Sequence, residues 1–177
     1  MGAPLAAAGL EEVGALGGRT ILCCGGAGVL DKELPVGHLV LPTAAVRDEG
    51  TSFHYLPPSR EVALDGPLAV FVRSELARLK VPFVEGKTWT TDAVYRETRA
   101  RAEARKKEGC VTVEMECAAL AAVCRARGLD YAQLLYAGDL VIPEGWDSRN
   151  WTKRGDKREA LLELCLELLK RAPGRSP

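Results

Sequence analysis

Glu114 and Glu116 flank Met115 in the stretch VTVEMECAAL, where an apolar run turns into an alanine-rich segment. Carboxylates placed there serve one of two ends. They complement the positive end of a helix dipole, worth about 0.3 to 1 kcal/mol each, or they face a ligand at the mouth of a sheet. Three other stretches carry polar or open groups at comparable points. CCGGAG, residues 23–28, sets Cys23, Gly25 and Gly26 after an apolar run, where backbone N–H groups can form an anion nest. GKTWTTD, residues 86–92, brings an aromatic ring at Trp89 and a hydroxyl at Thr90 to the end of a strand candidate. Asp139 follows YAQLLYAG and adds a third carboxyl. Each stretch also has a purely structural reading: a tight turn for the glycines, a core position for the tryptophan, a cap for the aspartate.

Ligands of open α/β sheets gather outside the carboxyl ends of the strands. The elements must therefore bring these stretches to one edge. Residues 4–16 read as a helix, with Pro4 in its first turn and Gly17-Gly18 as its stop. Residues 19–24 read as a buried strand entering a tight loop at the glycines, and 37–47 as a second strand with a bulge or edge at Pro42. Residues 48–65 read as a polar surface loop, 67–80 as a helix and 81–87 as a strand. A charged helix is expected over 92–108, capped by Thr91 or Asp92. A second follows over 115–127, closed by Gly128. Residues 131–138 read as a strand, 156–171 as a leucine-bearing helix and 172–177 as a frayed tail. Strands alternating with helices predict an α/β domain, and the whole of 1–177 reads as one unit.

Composition narrows the function classes. Lys+Arg and Asp+Glu stand at 24 each, so formal net charge is zero. That argues against electrostatic capture of nucleic acid or anionic membrane, and it leaves self-association open. No run approaches the roughly 18 apolar residues of a membrane span. The six cysteines form no C-x-x-C pair, and His38 and His54 stand at no metal-ligand spacing. Free thiols in a reducing cytoplasm and no metal site are the expectation.

In order and in kind, these stretches resemble the nucleoside phosphorylase family, which includes purine nucleoside phosphorylase, uridine phosphorylase and related nucleosidases. GAPLAAAGLEEVGALG, ILCCGGAGVLDKELPVGHLVLPTAAVRDEGTS, EGKTWTTDAVYRET, VEMECAAL and LLYAGD carry the resemblance, and the Glu-Met-Glu motif is its most specific piece. It implies a three-layer α/β/α sandwich around a mixed central sheet, in a homo-oligomer. It implies cleavage of an N-glycosidic bond through an oxocarbenium-like transition state, with phosphate as co-substrate and no other cofactor. Glu116 would accept the ribose hydroxyls, Met115 would pack under the sugar, and Glu114 would support the turn. Asp139 would hydrogen-bond or protonate a purine at N7. Trp89 would stack on the base with Thr90 beside it, and Cys23, Gly25 and Gly26 would hold phosphate.

The chain also departs from the family pattern. Members of the family carry a further segment ahead of the point where this chain begins, with a Gly and an Arg for phosphate, so 1–177 reads as N-terminally truncated relative to the family. In the glycine-rich turn, Thr20 stands where the family places an arginine, and Cys23 where it places a hydroxyl. Arg47 resembles an arginine of some relatives after the second strand. Phosphate binding is therefore expected to be weak, and hydrolysis or binding without turnover are the alternatives to phosphorolysis.

Overall fold

The apolar run at 20–24 does not end in a loop. It continues through the glycines as the ten-residue strand β1 (Thr20–Val29), in a computed structural model that describes residues 2–142 and 144–173. The reason is the partner: β6 (Asp130–Ile142) runs parallel beside β1 from Thr20↔Asp130 to Ala27↔Ala137 and takes the glycines into the ladder. Gly26 is required there by contact. A Cβ on it would lie 2.7 Å from the Tyr136 ring and hydroxyl.

Around this pair stand β2 (Leu39–Asp48), β3 (Glu61–Ala63), β4 (Phe83–Thr91), β5 (Cys110–Glu114) and β7 (Gly145–Asp147). The sheet order is β3-β2-β4-β5-β1-β6-β7, with a further pairing of β2 to β6. The β1–β6, β2–β4 and β4–β5 pairs are parallel, and the rest are antiparallel, so the sheet is mixed. Helices α1 (Ala3–Ala15) and α4 (Cys117–Arg127) cover one face through Leu10, Leu120 and Val123. Helices α2 (Pro67–Arg78) and α5 (Gly155–Arg171) cover the other through Leu76, Leu161 and Leu168. This is the expected three-layer α/β/α sandwich. Gly128, at φ +65°, ends α4 as its sequence position implies, and the next N–H, of Leu129, closes on Cys124 O.

Two expectations need correction. Residues 48–65 are not simply a polar surface loop: Glu49 and Ser52 are buried, and 61–63 pair as β3. Arg47 causes this. Its guanidinium donates to Ser52 Oγ, Ser59 Oγ, Pro57 O and Leu56 O and lies over the Phe53 ring, which folds the segment back on itself. The charged helix also starts late. β4 runs on to Thr91, Asp92 Oδ2 accepts the Gly50 N–H, and a 3-10 turn at Val94–Arg96 precedes α3 (Arg99–Lys107). The tail expected to fray lies mostly outside the described residues. Among the described residues, no helix is long and apolar enough to cross a membrane.

Candidate functional site

β5 ends at Glu114, and the chain must turn at once into α4. The free N–H groups of that first turn need acceptors. Glu114 supplies them: its Oε2 accepts Glu116 N–H at 2.7 Å and Cys117 N–H at 2.6 Å. Its Oε1 accepts the Thr90 hydroxyl at 2.5 Å, and Thr90 Oγ1 in turn accepts Ala118 N–H at 3.0 Å. Burial pushes the Glu114 carboxyl up to about 7, while Thr90 and the two backbone N–H groups hold it from rising further. Glu114 therefore builds the turn that presents Met115 and Glu116. Glu116 Oε1 accepts the Gly2 N–H at 2.6 Å, so the start of α1 closes over this corner.

Met115 and Glu116 open onto a cavity of about 380 Å³ whose walls come from β1, β5, β6 and the 3-10 turn after β4. Asp139 lines the same cavity from β6, with Gly26 and Gly28 as its floor. A Cβ on Gly28 would come within 3.0 Å of Val113 and Val141 and within 3.5 Å of Asp139 Oδ1, so a side chain there would close the floor. Asp139 Oδ2 accepts the Trp146 Nε1–H at 2.6 Å, which fixes the carboxyl's rotation. A second cavity, of about 440 Å³, adjoins the first. Cys23 and Gly25 line only this one, while Gly26, Glu114 and Glu116 line both. Burial, with Cys24 and Glu116 nearby, pushes the Cys23 thiol up to about 12, so it stays protonated at neutral pH.

Two of the sequence-derived candidates lie elsewhere. Trp89 was expected to face a pocket, but it is fully buried among Leu30, Val46, Ala102 and Val113. It sits inside β4, which is covered on both faces, and its Nε1–H donates to Asp48 Oδ2 at 2.9 Å. Arg105 of α3 bonds the same carboxylate oxygen and lies over the Trp89 ring, so the tryptophan pins α3 to the sheet. Thr90 is also fully buried and is spent on Glu114 and Ala118. Arg47 is likewise committed to its own loop. Sequence reading missed Glu97, Val94 and Trp151, which line the first cavity. Glu97 was hidden inside a presumed charged helix, and only the break at 92–98 turns it inward.

Among the described residues, neither cavity is lined by Lys, Arg or His, whereas the first holds four carboxyls. Such a site suits a neutral or cationic, hydroxyl-bearing ligand. It can grip a diol, stabilise positive charge and pass a proton.

Comparison with known proteins gives this geometry a family. The chain is 29% identical over 172 residues to guanosine phosphorylase from Halorubrum lacusprofundi, covering 97% of itself and 69% of that protein. It is 26% identical over 143 residues to uridine phosphorylase from Escherichia coli K12, covering 73% of itself and 56% of that protein. Among solved structures, AMP nucleosidase from Bacteroides thetaiotaomicron superposes with a TM-score of 0.75 at 24% identity, over 96% of this chain and 68% of that one. A family model described as the phosphorylase superfamily matches residues 1–171. The chain belongs to the phosphorylase superfamily.

Proposed function

We propose that the cavity walled by β1, β5 and β6 cleaves the N-glycosidic bond of a nucleoside and passes the pentose to phosphate. The observation that carries this reading is the convergence of Met115, Glu116 and Asp139 on one cavity, with Glu114 holding the turn beneath them. As the bond to the base lengthens, positive charge grows on the ribose. Glu116, half-buried, accepts the sugar hydroxyls and lowers the energy of that charge. Met115 packs against the sugar. Asp139, delivering a proton toward the base, makes the base a better leaving group. The acceptor then adds to the anomeric carbon, and the base leaves with the bonding pair. Phosphate would approach past Gly25 and Gly26, from the adjoining cavity that shares Glu116.

A second reading, in which water replaces phosphate, is favoured by one specific observation. Among the described residues no cationic side chain lines either cavity, and a partly dehydrated phosphate dianion needs cationic donors. The deciding measurement is base release from inosine, guanosine, adenosine and uridine, with and without millimolar phosphate. Slow release accelerated by phosphate supports phosphorolysis. Release at one rate in both supports hydrolysis. No release from any of the four sinks both.

A further inference from the structure

We infer that Cys24 and Cys165 form a thiol–disulfide exchange site, in which exposed Cys24 attacks a small-molecule disulfide and buried Cys165 resolves the adduct as an internal disulfide. The pair stands where two elements face each other. Side chains along a strand alternate between the two faces of the sheet. Leu22 packs against the cluster under α5, so Cys24, two residues on, lies on that face as well. Cys23 packs against the opposite cluster, under α1 and α4, and is kept apart from the pair. On α5, Leu161, Cys165 and Leu168 form the buried stripe that meets the sheet, at the spacing i, i+4, i+7. The two thiols touch there: the Cys165 S–H donates a hydrogen bond to Cys24 Sγ.

Access and reactivity single out Cys24. Of the six cysteines it is the exposed one, while Cys110, Cys117, Cys124 and Cys165 are buried and Cys23 is half-buried. The strand is open beside it, because β5 reaches β1 only at Gly28 and Val29. A Cβ on Gly25 would meet nothing within 4 Å, so a small disulfide has room to approach. The thiolate is the attacking species. The hydrogen bond from Cys165 holds the Cys24 thiol below the ordinary cysteine range. Burial pushes Cys23, Cys110 and Cys124 up to about 12 and Cys117 well above its ordinary value, so these stay protonated at neutral pH.

The oxidant is a low-molecular-weight disulfide, R–S–S–R. Cys24 gives its proton to water and its sulfur attacks one sulfur of R–S–S–R. The R–S–S–R bond breaks, the Cys24–S–S–R bond forms and R–S⁻ leaves. Cys165 Sγ then attacks Cys24 Sγ, its proton passing to the departed R–S⁻. The Cys24–Cys165 bond forms and the second R–S⁻ leaves, taking a proton from water. Two protein thiols are oxidised and one small disulfide is reduced to two thiols. The bond staples the open stretch of β1 to α5, and excess R–SH reverses it.

The test incubates the reduced full chain with oxidised glutathione, blocks remaining thiols with N-ethylmaleimide and maps peptides by mass spectrometry. The wild type is expected to lose two hydrogens, to retain no glutathione and to yield a linked peptide pair holding Cys24 and Cys165. Cys165→Ala is expected to stop with one glutathione on Cys24, and Cys24→Ser to take up none. The wild-type map decides by itself, so a variant that fails to fold does not blunt the test. Glutathione retained on Cys24 of the wild type removes Cys165 as the resolving thiol. Reaction at another cysteine, a link between two chains or no reaction overturns the site. Hydrogen exchange over residues 20–26 is expected to slow in the oxidised wild type, and exchange unchanged from the reduced protein overturns the staple.

Discussion

Glu114 and Glu116 stand two residues apart in different surroundings, because only one of them is inside. Glu114 is buried and saturated by Thr90 and two backbone N–H groups, so its charge is spent on holding the turn. Glu116 is half-buried and borders both cavities. Glu116→Gln is therefore expected to lower kcat/KM for any nucleoside substrate by at least about tenfold, or 1.4 kcal/mol, while the fold persists. The amide oxygen still accepts the Gly2 N–H, so the corner near α1 stays closed. Steady-state kinetics beside thermal melting make the check. A melting temperature that collapses along with activity would mark Glu116 as structural. The Glu-Met-Glu spacing was readable in the sequence, and so was the support that Glu114 gives the turn. The position of Trp89 was not. An aromatic after a strand candidate looks the same whether the strand stops at residue 87 or continues to Thr91, and burial within the longer strand decided its place.

At the scale of elements, the start of α4 is the joint on which the site turns. Ala118 N–H, in the first turn, finds its acceptor in Thr90 Oγ1 on a neighbouring strand, and that hydroxyl also donates to Glu114. One side chain of β4 thus ties two elements together inside the protein. Thr90→Val keeps the shape and removes both bonds, leaving a buried N–H unpaired. The expected cost is about 1 to 3 kcal/mol in denaturant unfolding, with Thr90→Ser retaining most of the stability. Equal stability of the valine variant would remove Thr90 from the joint. Helices α1, α2, α4 and α5 were legible from capping residues, alanines and leucine spacing. The interval 92–98 was not. Its residue types suit a helix, but Asp92 is drawn to Gly50 and β4 keeps Thr91, so the helix waits until Arg99. These contacts span more than forty residues, and no local pattern contains them.

Across the whole molecule, β1 lies inside the sheet order yet is incompletely covered. β5 reaches it only at Gly28 and Val29, and none of Thr20 through Gly26 is fully buried. β6 beside it has β1 on one side and β2 or β7 on the other, and residues 131–137 are all buried. Hydrogen exchange read by mass spectrometry should therefore find peptides over 20–26 exchanging faster than peptides over 131–137. Equal protection would mean that the open edge of β1 is covered in solution, as by a second copy of the chain. The sequence by itself determined the layered α/β architecture, the Glu114-Met115-Glu116 turn and the family. Alternation of strands and helices, capping residues and a compact motif are local properties, and local properties survive in a single chain of letters. Only the tertiary structure decided which polar groups share a cavity. It placed Asp139 with Glu116, brought in Glu97, sent Trp89 to the core, and, among the described residues, left both cavities without a cationic side chain. Those outcomes depend on strand length, register and the long-range reach of single side chains, which fold formation settles and residue spacing does not record.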